Sequence, residues 1–250
     1  MSVFHHASVE LAFLDEGQGD PIVLVHGFAS SKEVNWVQPG WFATLTGAGR
    51  RVIALDNRGH GGSSKLYDNA DYYTAKMAGD VRALLDHLVI ERADVMGYSM
   101  GARIVAFLAL DHPDRVRAMI LGGLGLHLID GVGLPESIAE ALEAPSLADV
   151  TDPQGRVFRA FADQTKSDRR ALAACIRGSR QMLTREQVAS IQSPTLIAVG
   201  TKDPIAGSPD ELAAAMPCAT ALPIPGRDHM LAVGDKAFKA GVLEFLRVHG

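Results

Sequence analysis

Asp94-Val95-Met96-Gly97-Tyr98-Ser99-Met100-Gly101-Ala102-Arg103 is the stretch that decides the fold. Asp94–Met96 reads as a short strand, and Met100–Leu110 is apolar almost all round, which predicts a helix buried in the core. Between them, Gly97-Tyr98-Ser99-Met100-Gly101 sets a serine on a sharp strand-to-helix turn. Glycine on either side lets the helix pack closely against neighbouring strands. The hydroxyl is held out at the sheet edge with the helix N-terminus behind it, where backbone N–H groups stabilise a developing negative charge. A bare Gly-x-Ser-x-Gly is common by chance; the strand before and the helix after give it meaning.

Working outward, a strand-then-helix rhythm runs through the chain. Val9–Asp15, Ile22–Val25, Arg51–Leu55, Ala118–Leu121, Thr195–Val199 and Thr220–Ile224 read as further strands, the first two parted by the turn Gly17-Gln18-Gly19-Asp20-Pro21. Continuous apolar runs such as Ile22-Val23-Leu24-Val25 suit strands buried on both faces of a parallel sheet. Helical stripes occupy Thr74–Leu88 and Asp235–Val248, and Ser208-Pro209-Asp210-Glu211 is a helix start. The rhythm breaks between about His127 and Gln192. There, Ser137–Leu142, Arg156–Ala162, Arg169–Leu183 and Arg185–Ile191, the last after the capping box Thr184-x-x-Gln187, are helical with no strand among them. The expected organisation is an α/β core of residues 1–126 and 193–250, with residues 127–192 as a helical lid. A separate helical domain is the alternative, and about 65 residues is small for an independent core.

A serine hydroxyl needs a base to act as a nucleophile at neutral pH. Of the nine histidines, His5, His6 and His249 are terminal, while His87 and His112 lie at helix ends. His229, in Gly226-Arg227-Asp228-His229-Met230, follows the last strand and emerges at the same sheet edge as the serine turn, so it is the expected base. A base of this kind is oriented by a carboxylate. Asp203, directly after the strand Thr195–Val199, is the first choice; Asp228 and, more remotely, Asp130 stand behind it. His26-Gly27-Phe28 ends the strand Ile22–Val25, and the Phe28 N–H is the expected oxyanion donor beside that of Met100. A plain glycine turn with Phe28 in the core is the other reading. Asp56 to Ser64 carries several glycines but no Gly-Lys-Ser/Thr phosphate cradle; it reads as a loop in which Asp56 and Arg58 hydrogen-bond the backbone.

The set His26-Gly27-Phe28, Asp56-x-Arg58-Gly59-x-Gly61-x-Ser63, Gly97-Tyr98-Ser99-Met100-Gly101, Gly200-x-x-Asp203-Pro204 and Asp228-His229 resembles the α/β-hydrolase superfamily, in its compact esterase-like branch. The resemblance implies an eight-stranded, mostly parallel sheet with helices on both faces and a small helical lid inserted after the sixth strand. It implies a Ser-His-Asp triad of Ser99, His229 and Asp203, and oxyanion donors at Phe28 and Met100. Ala102 stands where many members carry a further glycine. Haloalkane dehalogenases and most epoxide hydrolases of the superfamily have aspartate at the elbow, and the latter have proline where this chain has Ala29; both activities are disfavoured.

The remaining composition narrows the function. A net charge of −5 and a pI near 6.0 leave no basic footprint for nucleic acid, and no polybasic run suggests a membrane patch. Cys175 and Cys218 are too few for a disulfide framework and do not form a Cys-x-x-Cys pair, so neither metal nor cofactor is expected. The start shows no signal peptide and no transmembrane stretch is visible, so the expectation is a cytoplasmic enzyme. Its partner is a small-molecule substrate; the oligomeric state is unreadable. Leu134, Ile138, Leu142, Phe158, Phe161 and Met182 are candidate pocket walls for an apolar ester, thioester or lactone, or equally residues that pack the lid onto the body. Two further chemistries suit the same triad: carbon–carbon bond hydrolysis and cofactor-free perhydrolysis or haloperoxidation. A slow-turnover ligand receptor is a third possibility.

Overall fold

The computed structural model describes residues 2–131 and 134–250; Met1 of the expected core and Val132 and Gly133 of the expected insertion lie outside them. Eight strands, β1 (Ser2–His6), β2 (Val9–Glu16), β3 (Pro21–Val25), β4 (Arg51–Leu55), β5 (Ala93–Tyr98), β6 (Val116–Gly122), β7 (Thr195–Gly200) and β8 (Ala219–Ile224), form one sheet in the order β1-β2-β4-β3-β5-β6-β7-β8. β2 runs antiparallel to both β1 and β4, and the other neighbours are parallel. Seven of these strands are visible as residue patterns. The eighth, β1, is an edge strand on which only Phe4 is buried, so it carries no apolar alternation to read.

The continuous apolar strands face two cores. Val23, Val25, Ile53, Leu55 and Val95 point into one, while Ile22, Leu24, Val52, Ala54 and Met96 point into the other. Helices α1 (Trp41–Gly47), α2 (Thr74–His87) and α3 (Met100–Asp111) precede the insertion; α4 (Ser137–Glu143), α5 (Pro153–Gln164), α6 (Arg169–Gly178) and α7 (Arg185–Ser190) form it; α8 (Pro209–Ala215) and α9 (Lys236–His249) follow. One face of the sheet is covered by Trp41, Phe42 and Leu45 of α1 with Phe238 and Val242 of α9. The other is covered by Met77, Val81, Leu84 and Leu85 of α2, Ile104, Val105 and Leu108 of α3 and Leu212 of α8. Each such side chain contributes on the order of 1.5–3 kcal/mol by leaving water.

Capping chemistry accounts for most helix starts. Ser208 accepts from Glu211 N, Asp235 from Ala237 N, and Thr184 and Gln187 form a reciprocal box. Two boundaries differ from the sequence reading by more than two residues. α5 begins at Pro153, not Arg156, because Asp152 caps it through Gly155 N (2.6 Å) with proline at the first helical position. α6 stops at Gly178, not Leu183. A Cβ there would collide with the Asn69 carbonyl, and beyond it Leu183 N turns to donate to Leu128 O at 3.1 Å. The helices of the insertion follow β6 and precede β7 in the chain. No helix among the described residues is long and apolar enough to cross a membrane.

Candidate active site

Ser99 sits between β5 and α3 with φ 54° and ψ −113°, a left-handed backbone that costs a non-glycine residue about 1–3 kcal/mol. The surroundings hold it there: Ser99 N donates to Gly122 O of β6 at 2.8 Å, and its carbonyl accepts from Arg103 N one turn into α3. The flanking glycines are required by close approach. A Cβ on Gly97 would strike the Gly101 carbonyl, and one on Gly101 would strike the Val25 carbonyl at the end of β3. The helix is thereby drawn against the sheet, and the serine projects from the crest.

The loops after β7 and β8 bring the two expected partners to that crest. His229 Nε2 lies 3.0 Å from Ser99 Oγ, and His229 Nδ1 lies 2.7 Å from Asp203 Oδ2. An ionised carboxylate only accepts, so Nδ1 carries the proton and Nε2 is left to accept from the serine hydroxyl. The Asp203 side chain is fully buried and its second oxygen accepts from Ile205 N (2.8 Å) and Ala206 N (3.1 Å), which fixes its orientation. Asp228 is otherwise engaged: its Oδ1 accepts from Met230 N and Leu231 N and caps the turn after His229. Asp130 is exposed and outside the cluster. Tyr98 supplies a contact that the sequence reading missed. Its hydroxyl donates to the His229 carbonyl at 2.6 Å, and burial pushes the phenol well above its ordinary pKa, so it stays a donor.

The loop after β3 closes the other side. A Cβ on Gly27 would stand 3.2 Å from Tyr98 O and 3.5 Å from Ser99 Cβ, so glycine lets this loop reach the serine turn. Among the described residues neither Phe28 N–H nor Met100 N–H has a protein acceptor. The loop is braced from below by Asn35, His26 and His60. Gly27 N donates to Asn35 Oδ1, Ala29 N to His60 Nε2, and Asn57 N to His26 Nε2, while the Nδ1 atoms of His26 and His60 donate to the Gly27 and Arg58 carbonyls. Both imidazoles therefore act as neutral donor–acceptor bridges. Burial lowers the pKa of both, that of His60 to about 3 with the help of neighbouring His26. Asp56 bonds the backbone as expected, accepting from Lys32 N and Gly62 N, but it also pairs with the buried Lys32 ammonium at 2.5 Å. Burial pushes its carboxyl up, and the Lys32 ammonium with these N–H groups holds it below its ordinary value. Arg58 reaches the Asp71 carbonyl, yet its main partner is the buried Asp80 carboxylate, met by two bonds of 2.7 Å.

Two cavities meet at Ser99. The larger, about 220 Å³, is apolar and is walled by Phe28, Leu134, Val157, Phe158 and Phe161, with His229 on its floor. The smaller, about 50 Å³, lies on the Met100 side between Leu124, Ile176 and the two arginines Arg103 and Arg180. Leu134, Phe158 and Phe161 thus face the serine. Ile138 does not: it is fully buried in the hydrophobic core, as is Leu142, because both lie on the inner face of α4; Met182 is exposed beyond the end of α6. Among the described residues no group of three His, Cys, Asp or Glu side chains is arranged to hold a metal ion.

Comparison with known proteins places the fold. A family model described as the alpha/beta hydrolase fold matches residues 20–145. The chain belongs to the alpha/beta hydrolase family. It is 34% identical, over 92% of its length, to the dihydrolipoyllysine-residue acetyltransferase component of the acetoin cleaving system of Pseudomonas putida, and it spans 64% of that protein. Epoxide hydrolase B of Mycobacterium tuberculosis is 35% identical over 131 residues, covering 48% of this chain and 33% of that protein. The chain thus spans less than two thirds of either relative. A crystal structure of a hydrolase from Pseudomonas aeruginosa superposes with a TM-score of 0.81 at 27% identity, covering 98% of this chain and 97% of that one. The chain is built on an eight-stranded, mostly parallel sheet.

Proposed function

We propose that this hydrolase cleaves a small to medium, largely apolar carboxylic ester, thioester or lactone through an acyl-enzyme on Ser99. The observation that carries the reading is the hydrogen-bonded line Ser99–His229–Asp203, at 3.0 and 2.7 Å, beside two backbone N–H groups without acceptors. Ser99 Oγ attacks the carbonyl carbon while His229 Nε2 takes its proton. The charge that forms on His229 is stabilised by Asp203, whose two backbone bonds leave it one orientation. The developing oxyanion accepts from Phe28 N–H and Met100 N–H, which are held in place before the reaction and cost no reorganisation during it. His229 then returns the proton to the leaving group, and a water activated by the same nitrogen releases the acyl group.

The apolar cavity supports the substrate class, since Phe158, Phe161 and Leu134 offer no polar group to an apolar acyl chain. Residues 127–192 act as the lid of the 1–126 and 193–250 core in this proposal, with the substrate held beneath α5. Epoxide opening, the activity in the name of one relative, fits less well because a serine replaces the carboxylate expected of that chemistry. The test is hydrolysis of 4-nitrophenyl butanoate by the wild type and Ser99→Ala. The variant is expected to fall by about 10⁴-fold or more with its thermal transition kept; equal rates would refute the assignment.

A further inference from the structure

Arg103 and Arg180 both line the smaller cavity, and neither meets a carboxylate within ion-pair distance among the described residues. Arg103 leaves α3 one turn after Ser99 and is 5% exposed. Its two terminal nitrogens donate to main-chain carbonyls alone: Nη1 to Leu128 (3.4 Å) and Gln181 (2.9 Å), Nη2 to His127 (2.6 Å) and Gly131 (3.0 Å). Arg180 follows the end of α6 and makes one bond, from Nη1 to the Leu134 carbonyl at 3.1 Å. Most of its donors are therefore uncommitted. Three other arginines of the insertion do meet carboxylates. Arg159 and Arg169 pair with Asp163, and Arg177 pairs with Glu143.

Two buried or half-buried guanidinium groups facing one another without an anion are costly. Burial, and then the neighbouring Arg180, push the Arg103 pKa down to about 10, which reflects that cost. An anion entering the cavity would offset it, and about 50 Å³ accommodates a small planar group. A guanidinium presents paired N–H donors in a plane, matched to the two oxygens of a carboxylate.

We infer that the smaller cavity is a carboxylate subsite and that the substrate of Ser99 is an apolar ester, thioester or lactone bearing an acidic group a few bonds from its reactive carbonyl. The inference rests on the proposed role of Ser99 and deepens it. Ser99 and Phe28 line both cavities, so a molecule with its carboxylate at Arg180 and its apolar part between Phe158 and Phe161 passes its carbonyl over the serine. Arg103, tied to four carbonyls, fixes the floor; Arg180, with its spare donors, receives the anion. Arg180 is thus the specificity-determining residue.

The test compares two series of 4-nitrophenyl esters: the monoesters of succinic, glutaric and adipic acid, and the butanoate, pentanoate and hexanoate of equal chain length. At one length or more the wild type should favour the acidic ester in kcat/KM, mainly through KM. Arg180→Gln should reduce that preference about tenfold, the loss of a charge-assisted contact, and Arg180→Lys should restore part of it. A wild type that favours the neutral ester at all three lengths, or a preference that Arg180→Gln leaves intact, overturns the inference while leaving the nucleophile assignment standing. If no ester of either series is cleaved, the Ser99 assignment is what has failed. Calorimetric titration of Ser99→Ala with free succinate, glutarate and adipate then reads the subsite directly. Binding that weakens about tenfold when Arg180→Gln is added supports it; absence of binding by all three diacids overturns it.

Discussion

The sheet and the helical insertion hold the two halves of the site by different means. On the sheet, each proposed catalytic group lies at the end of a strand: Phe28 after β3, Ser99 after β5, Asp203 after β7 and His229 after β8. Their positions follow from the parallel register and from main-chain bonds such as Ser99 N to Gly122 O. The insertion offers side chains from short helices, packed onto the body through apolar residues such as Ile138 and Cys175 and linked to it by polar contacts: Tyr67 to Asp168, Thr74 to Gln181, and Arg103 to the carbonyls around it. Main-chain placement suits chemistry, where an error of an ångström is costly. Side-chain placement on short helices suits selectivity, which changes by replacing a wall.

Substitutions on the two sides should therefore fail in different ways. The largest effect is expected from Asp203→Asn, which keeps the shape but leaves the wrong histidine tautomer: kcat should fall by about 10⁴-fold with KM little changed. Gly101→Ala tests the scaffold itself. Its Cβ has no space against Val25 O, and denaturant unfolding should register a loss of about 1–3 kcal/mol. Phe158→Ala should act on KM for long acyl chains, by about tenfold, and spare short ones; an equal loss of kcat for every chain length would blur the division between chemistry and wall.

Acid should separate the halves as well. The neutral bridge at His60, with its pKa lowered to about 3 against about 6.5 unfolded, binds a proton more readily in the unfolded chain. Stability is then complete above about pH 6.5 and declines as the pH falls from there towards 3. Thermal transitions recorded across that range should show the slope, and His60→Gln should flatten it. The smallest effect concerns the thiols. Cys175 is buried beside Met100 and its thiol is pushed up to about 12, so alkylation at neutral pH should label exposed Cys218 and leave Cys175 untouched until the insertion opens.

The same contrast explains what could be read in advance. Ser99, Asp203 and His229 are each announced by a strand followed by a turn, a local signal. The insertion announced its helices but not which of their faces lines the cavity. Ile138 and Phe158 belong to equally plausible apolar stripes, yet one packs inward from α4 and the other faces Ser99. Lys32, Asn35 and Tyr98 escaped notice because their partners Asp56, Gly27 and His229 are met through folding, across 24, 8 and 131 residues of chain. The end of α6 is hidden for a related reason: the contact that requires glycine at 178 is made by the Asn69 carbonyl, more than 100 residues away in the chain.

The bond from the Tyr98 hydroxyl to the His229 carbonyl has a mechanical consequence. Tyr98 is the covalent neighbour of Ser99, so the carriers of both ends of the proton path share one bracket. The loop between β8 and α9 can swing His229 away only by breaking a buried contact whose loss leaves the phenol unpaired. Separation of the pair becomes a discrete event with a threshold instead of a gradual loosening.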